Sequence, residues 1–153
     1  MSEADTSKQP FFNLEKMYVK DLSVEVPHAP GIYLERETPR IDLQIKDDNI
    51  KIGDDLHEVT VTAVVTARLQ EKVVFLIEAT QAAVFRLRNI PDAEMESALR
   101  VMCPNILYPY LREVVSDNSV RAGFMPVLLS PLDFSALYLQ EKQQEASAQQ
   151  AAH

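Results

Sequence analysis

The tightest constraint on this chain is a pair of long alternating segments separated by only three polar residues. In Leu56–Leu69, the residues Val59, Val61, Ala63, Val65, Ala67 and Leu69 fall in one phase, and Glu58, Thr60, Thr62, Thr66 and Arg68 fall in the other. In 73–87, Val73, Phe75, Ile77, Ala79, Ala83, Phe85 and Leu87 alternate with Val74, Leu76, Glu78, Thr80, Val84 and Arg86. A period of two is the signature of a strand with one buried face. The break, Gln70, Glu71 and Lys72, is too short for a crossover, so the two strands form an antiparallel hairpin.

The rest of the chain is organised around that hairpin. Residues 1–10 read as a disordered lead-in. From Phe11 to Val26 the chain is rich in strand formers, but its phase slips. Phe12 and Leu14 share one phase, Met17 and Val19 the other, and Leu22, Val24 and Val26 return to the first, a pattern that either a bulge or a strand buried on both faces would explain. Pro27, Pro30, Gly31 and Pro39 mark a long connection. Ile41, Leu43 and Ile45 alternate with Asp42, Gln44 and Lys46 as a half-buried strand, and Asp47, Asp48 and Asn49 then read as turn material.

After Pro91 the period changes to helical, with Asp92 as a cap and Met95, Leu99 and Met102 on one stripe. Pro104 is expected to interrupt this helix, and Asn105 to cap a second one ending near Gly123. Asp133 caps a last helix bearing Phe134, Leu137, Tyr138 and Leu139, and 141–153 is a patternless polar tail expected to be mobile. Strands come first and helices second, which gives an α+β fold, an antiparallel sheet covered by helices.

The balance of charge and the scarcity of reactive residues narrow the function. Of 153 residues, enough for one domain with a core, 46% are apolar, and the formal net charge is -8. This excess of acid argues against a nucleic-acid binder and favours basic partners. Cys103 is the single cysteine, so no internal disulfide forms, which suits a reducing cytoplasm. The N-terminus has no apolar core of a secretory signal, and no run approaches the roughly 20 apolar residues that span a bilayer, so direct membrane insertion is not expected. Three scattered glycines, Gly31, Gly53 and Gly123, do not make a phosphate-cradling loop. His28, His57 and His153 lack metal-ligand spacing, so no cofactor or metal is expected.

Three constellations remain. Asp21 and Glu25 share a strand face, and Glu78 projects beside Leu76, a set that is either a solvated sheet face or an acidic docking surface. Tyr33, Leu34, Tyr108, Leu111, Val115 and Phe124 are either core or the lining of a surface for other chains. Cys103 with His57 allows a small thiol enzyme, although a thiol followed by proline in an apolar context is more often a buried hydrophobe.

The stretch CPNILYPYLRE at 103–113, with RAGFMP at 121–126, LSPLDF at 129–134 and YVKDLSVEVPHAP at 18–30, resembles the SecB family of protein-export chaperones over residues 11–140. The resemblance implies a four-stranded antiparallel sheet with a long connection between its first two strands and helices on one face. It also implies subunits paired into dimers with a continuous sheet, and two dimers stacked into a homotetramer through the helix 92–121. Ile77, Ala79 and Gln81 would lie in that interface. Such proteins hold unfolded preproteins and pass them to the SecA translocation ATPase without using ATP themselves. Asp21, Glu25, Leu76 and Glu78 stand where the family docks SecA, and the tail would make a second contact, here with only two acids, Glu141 and Glu145.

Two departures stand out. Glu37 occupies the place of a tryptophan common in the family, and Thr80, Gln81, Ala82 and Ala83 replace a glycine-containing stretch. The alternatives are a general or antitoxin-linked holdase of the same fold, the thiol enzyme, and a structural oligomer.

Overall fold

The computed structural model describes residues 6–152. The alternating segments form β1 (Phe11–Glu25), β2 (Arg40–Gly53), β3 (Leu56–Leu69) and β4 (Lys72–Arg88), and these make one antiparallel sheet in the order β1-β4-β3-β2. The expected hairpin is therefore the centre of the sheet, and the less regular segments are its edges. One face of the central strands carries Val59, Val61, Val65, Phe75, Ile77, Phe85 and Leu87, all buried. On that face lie the helices, which contribute Leu107, Leu111, Val115 and Phe134 to the same core. Each such side chain contributes about 1.5–3 kcal/mol on leaving water.

The phase slips in β1 are two bulges. Leu14 pairs with Phe85 and Lys16 with Val84, so Glu15 is left over; Val19 pairs with Gln81 and Asp21 with Thr80, so Lys20 is left over. Each extra residue restores the phase, and Phe12, Leu14, Met17, Val19, Leu22 and Val24 all end on the helix side. A smaller bulge at Val74 corrects the face expected for Val73. Val73 pairs with Arg68 while Phe75 pairs with Ala67, and it is Val74 that is buried.

The edge strand β2 also departs from expectation. Asp47, Asp48 and Asn49 are strand, not turn, and pair with Val61, Thr60 and Val59. An edge strand tolerates charge because one of its sides faces water, and Asp47 has a partner in Arg100, whose Nε lies 2.9 Å away.

The helical half begins with α1 (Asp92–Ser97), in which Asp92 is the first helical residue and Pro91 takes the cap position. Pro104 does not break the helix. The chain passes through a π turn, Ala98–Met102, in which the Cys103 N–H reaches back to the Ala98 carbonyl, and continues as α2 (Cys103–Arg121) without an Asn105 cap. Pro104 has no N–H to offer the Arg100 carbonyl, and the wider turn absorbs that loss within a continuous helix.

At the end of α2, Gly123 has φ +93, a conformation that side chains resist, and a Cβ there would meet the Tyr33 ring at 3.0 Å. The Asp133 carboxylate caps α3 (Phe134–Ala151) by accepting from the Ser135 N–H at 3.0 Å. The helix runs through the expected boundary at 140, although from Leu139 to Ala151 every residue is exposed. Of the lead-in 1–10, the first five residues lie outside the described ones. Thr6–Lys8 form a short 3-10 turn, and the Asn89 side chain donates to the carbonyls of Ser7 and Gln9.

Candidate functional site

Two surfaces stand out, one on each face of the sheet. The first is an apolar cleft of about 600 Å³ where the loop after α2 runs past β2. Phe75, Phe124, Val127 and Leu129 form its floor, Pro39, Ile41 and Leu43 line one side, and Met125 and Leu128 stand at its rim. Met125 is 84% exposed and Leu128 74%. A smaller cleft of about 230 Å³ shares Glu37, Pro39, Phe124 and Met125 with the first and reaches Tyr33 and Val74.

An aromatic row stiffens the wall between the two clefts. The Phe75 and Phe124 rings are 4.8 Å apart, and Phe124 and Tyr33 are 5.4 Å apart. The Tyr33 hydroxyl donates to the Ala122 carbonyl at 2.7 Å, joining the long connection to the end of α2. The buried Ser119 hydroxyl accepts from the Val127 N–H at 2.9 Å and donates to the Ser116 carbonyl at 2.8 Å, while the Tyr108 hydroxyl donates to the Ser130 carbonyl. The loop is thus tied down by hydrogen bonds, and two of its apolar side chains, Met125 and Leu128, are left facing water.

This geometry sorts the apolar set read from sequence. Tyr33 and Phe124 are brought together at the cleft. Leu34 is 81% exposed, but it lines neither cleft. Tyr108, Leu111 and Val115 are corrected: they are buried core on the sheet side of α2 and offer no surface to another chain. The residues that sequence reasoning left out are Phe75, Ile41, Leu43, Met125 and Leu128. For Leu128 the available signal was the apolar run between Pro126 and Pro131, in a loop, where apolar residues need a reason.

The second surface is the open face of the sheet. Asp21 lies opposite Thr80, Ser23 opposite Glu78 and Glu25 opposite Leu76, so all four expected docking residues share one patch on β1 and β4. Asp21, Glu25 and Glu78 are exposed, and Leu76 is half-buried among them. None of the ion pairs among the described residues involves these three acids. The nearby cation Lys20, the bulged residue, is taken up by Glu58 at 2.6 Å. The Lys20 ammonium, and then the Tyr18 hydroxyl, hold the Glu58 carboxyl below its usual range. Burial, reinforced by Glu58, pushes Tyr18 up to about 12. With Lys20 engaged by Glu58, the patch presents three exposed acidic side chains, which suits a basic partner.

Ile77 and Ala79 have no exposed surface and Gln81 is buried, all on the helix side of β4. They are corrected from direct subunit contacts to packing within the chain. Cys103 is buried, and burial pushes its thiol up to about 12, which removes the thiolate that nucleophilic chemistry needs. His57 is buried as well, and desolvation, followed by the Lys51 charge, lowers its pKa.

Comparison with known proteins gives the family. A family model described as preprotein translocase subunit SecB matches residues 5–145. The chain belongs to the SecB family. A protein-export protein SecB from Nitrosomonas eutropha is 57% identical over 148 residues, covering 95% of this chain and 92% of the relative. Another from Nitrosospira multiformis is 55% identical over 141 residues, covering 92% and 89%. Among solved structures, a Mycobacterium tuberculosis SecB-like chaperone in complex with a peptide from an antitoxin superposes with a TM-score of 0.66 at 19% identity, covering 79% of this chain and 90% of that one. At that identity the likeness is one of fold, and it places the sheet and helices within the SecB-like architecture. No helix among the described residues is long and apolar enough to cross a membrane.

Proposed function

We propose that this SecB family member is an ATP-independent chaperone of protein export. It holds unfolded preproteins by their apolar side chains in the cleft beside Phe124 and delivers them to the SecA ATPase at the acidic sheet face. The observation that carries this reading is the cleft, where a hydrogen-bonded loop presents Met125 and Leu128 to water beside a floor of Phe75 and Phe124. A rigid scaffold that exposes large apolar groups at a concave site is suited to binding rather than to chemistry.

Micromolar affinity requires about 8 kcal/mol. Large side chains contribute about 1.5–3 kcal/mol each before the cost of ordering the client. Several must be held at once, which an elongated pair of clefts allows better than a single pocket. The names of the relatives and the high pKa of Cys103 both support a binding protein over a thiol enzyme.

Assembly into a homotetramer, a dimer of dimers, is part of the same proposal. The apolar row of β1 on the helix side supports it, as do Met102, Tyr110 and Val120, exposed on the helical half. The acidic charge and lone cysteine support a cytoplasmic location. In the test, purified chain without nucleotide is mixed with a slow-folding preprotein, and delayed aggregation is the expected result; aggregation at the unassisted rate would overturn the proposal. For the handover, the double variant Asp21→Lys with Glu78→Lys is expected to lose SecA binding measured at low salt. Unchanged binding would favour a holdase not dedicated to export.

A further inference from the structure

The second half of α3 is attached in a way that differs from the rest of the molecule. Its start is packed: Phe134 is buried and meets the Tyr108 ring edge-on at 5.8 Å, and Leu137 packs at the border of the core. Beyond Leu137 the contacts are electrostatic. Tyr138 lies between two cations, its ring centroid 5.5 Å from the Arg100 guanidinium and 5.5 Å from the Lys142 ammonium. Arg100 donates to Glu141, and Lys142 pairs with Glu96 at 3.0 Å. Arg100 also holds Asp47 of β2, so a single guanidinium joins an edge strand, the π turn and α3. After Lys142 the helix continues to Ala151 fully exposed, with no apolar stripe.

A helix of roughly a dozen residues is marginal in water on propensity alone. The segment from Gln140 onward therefore depends on what docks it, and the docking is two ion pairs around one aromatic ring. Exposed pairs of this kind are worth little singly and weaken with salt.

We infer that Arg100, Glu141, Glu96 and Lys142 form a salt-releasable clasp around Tyr138 that holds the second half of α3 against the π turn, so that α3 has a docked and a released state. The π turn is what makes the clasp reachable. With Pro104 unable to bond the Arg100 carbonyl, the helix widens there, and Arg100 reaches Asp47 and Glu141 from that widened turn. Release leaves the cleft intact, because the cleft-lining loop is tied separately to Ser119 and Tyr108 and Phe134 remains buried. The clasp thus sets the reach of the tail without altering the client surface.

Amide hydrogen exchange on the full chain tests this. The amides of 140–149 are expected to exchange about threefold to tenfold faster at about 500 mM salt than at about 20 mM, and faster by a similar factor in Arg100→Gln. Those of 107–115 should not change. Glu96→Lys should speed exchange in 140–149, and adding Lys142→Glu to it should restore protection by swapping the pair. Exchange in 140–149 that ignores salt and Glu96→Lys would overturn the inference. So would failure of the swap to restore protection, or an equal acceleration in 107–115, which would mean general destabilisation.

Discussion

The two flanks of α2 expose their apolar rows to a similar degree but in different shapes. On the β1 flank, Phe12, Leu14, Val19, Leu22 and Val24 form an exposed row with no loop over it. On the β2 flank, Ile41 and Leu43 are similarly exposed, but the loop after α2 rises beside them and turns the surface into a cleft. Similar composition gives a flat surface in one place and a concave one in the other. A flat apolar row fits another flat surface, such as a second copy of the chain, whereas a cleft fits individual side chains of an extended one. The feature that separates them is the hydrogen-bonded loop from Gly123 to Ser130, not the hydrophobicity of the strands.

The largest expected effect comes from loosening the helix between the flanks. Leu111→Ala leaves a cavity in the shared core and is expected to cost about 2–5 kcal/mol in urea unfolding. A loss below 1 kcal/mol would mean that Leu111 lies at a surface after all. Next, Leu22→Lys on the flat flank should weaken self-association more than tenfold in sedimentation while leaving client binding per chain unchanged. The reverse result would exchange the roles of the two flanks. On the concave flank, Met125→Asp with Leu128→Asp should weaken binding of an unfolded polypeptide about tenfold, or 1.4 kcal/mol, and leave the unfolding midpoint nearly unmoved.

Gly123→Ala forces a positive φ on a side chain and pushes on Tyr33, at a cost of about 1 kcal/mol, and should loosen the wall between the two clefts. The smallest effect concerns His57. Its folded pKa is lowered chiefly by burial, so the unfolded chain takes up a proton near the ordinary value of 6.5 while the folded chain does not. Stability should therefore fall as pH drops below about 7 and level off beneath the folded pKa. His57→Gln should flatten that part of a melting-temperature profile between pH 7.5 and 5.

What could be read in advance follows from how local each signal is. The β3–β4 hairpin was legible because burial on one face writes a period of two directly into the residues. The β1 slips were legible as an irregularity, since the apolar phase changed and then returned, but the pairing with β4 was needed to choose bulges over a strand buried on both faces. Asp47, Asp48 and Asn49 were misread because their place in β2 depends on an edge position and on Arg100, 53 positions away along the chain. Pro104 was misread because a π turn is a response to the missing N–H that composition does not announce. Within the site, sequence gave the aromatic pair Tyr33 and Phe124 but placed Tyr108, Leu111 and Val115 on the wrong side. A helix that is apolar over a wide arc does not reveal which part of the arc meets the sheet.

The bulges of β1 bear on what can be added to the sheet. Glu15 and Lys20 divide the strand into uninterrupted stretches at 11–14, 16–19 and 21–25. A foreign strand laid along this edge would lose its ladder every four or five residues unless it carried kinks of its own at matching places. The same two residues that keep the apolar row in phase thus act as a spacing code. They discourage the indiscriminate edge stacking that leads to fibrils, an advantage for a protein whose proposed work is to keep company with unfolded chains.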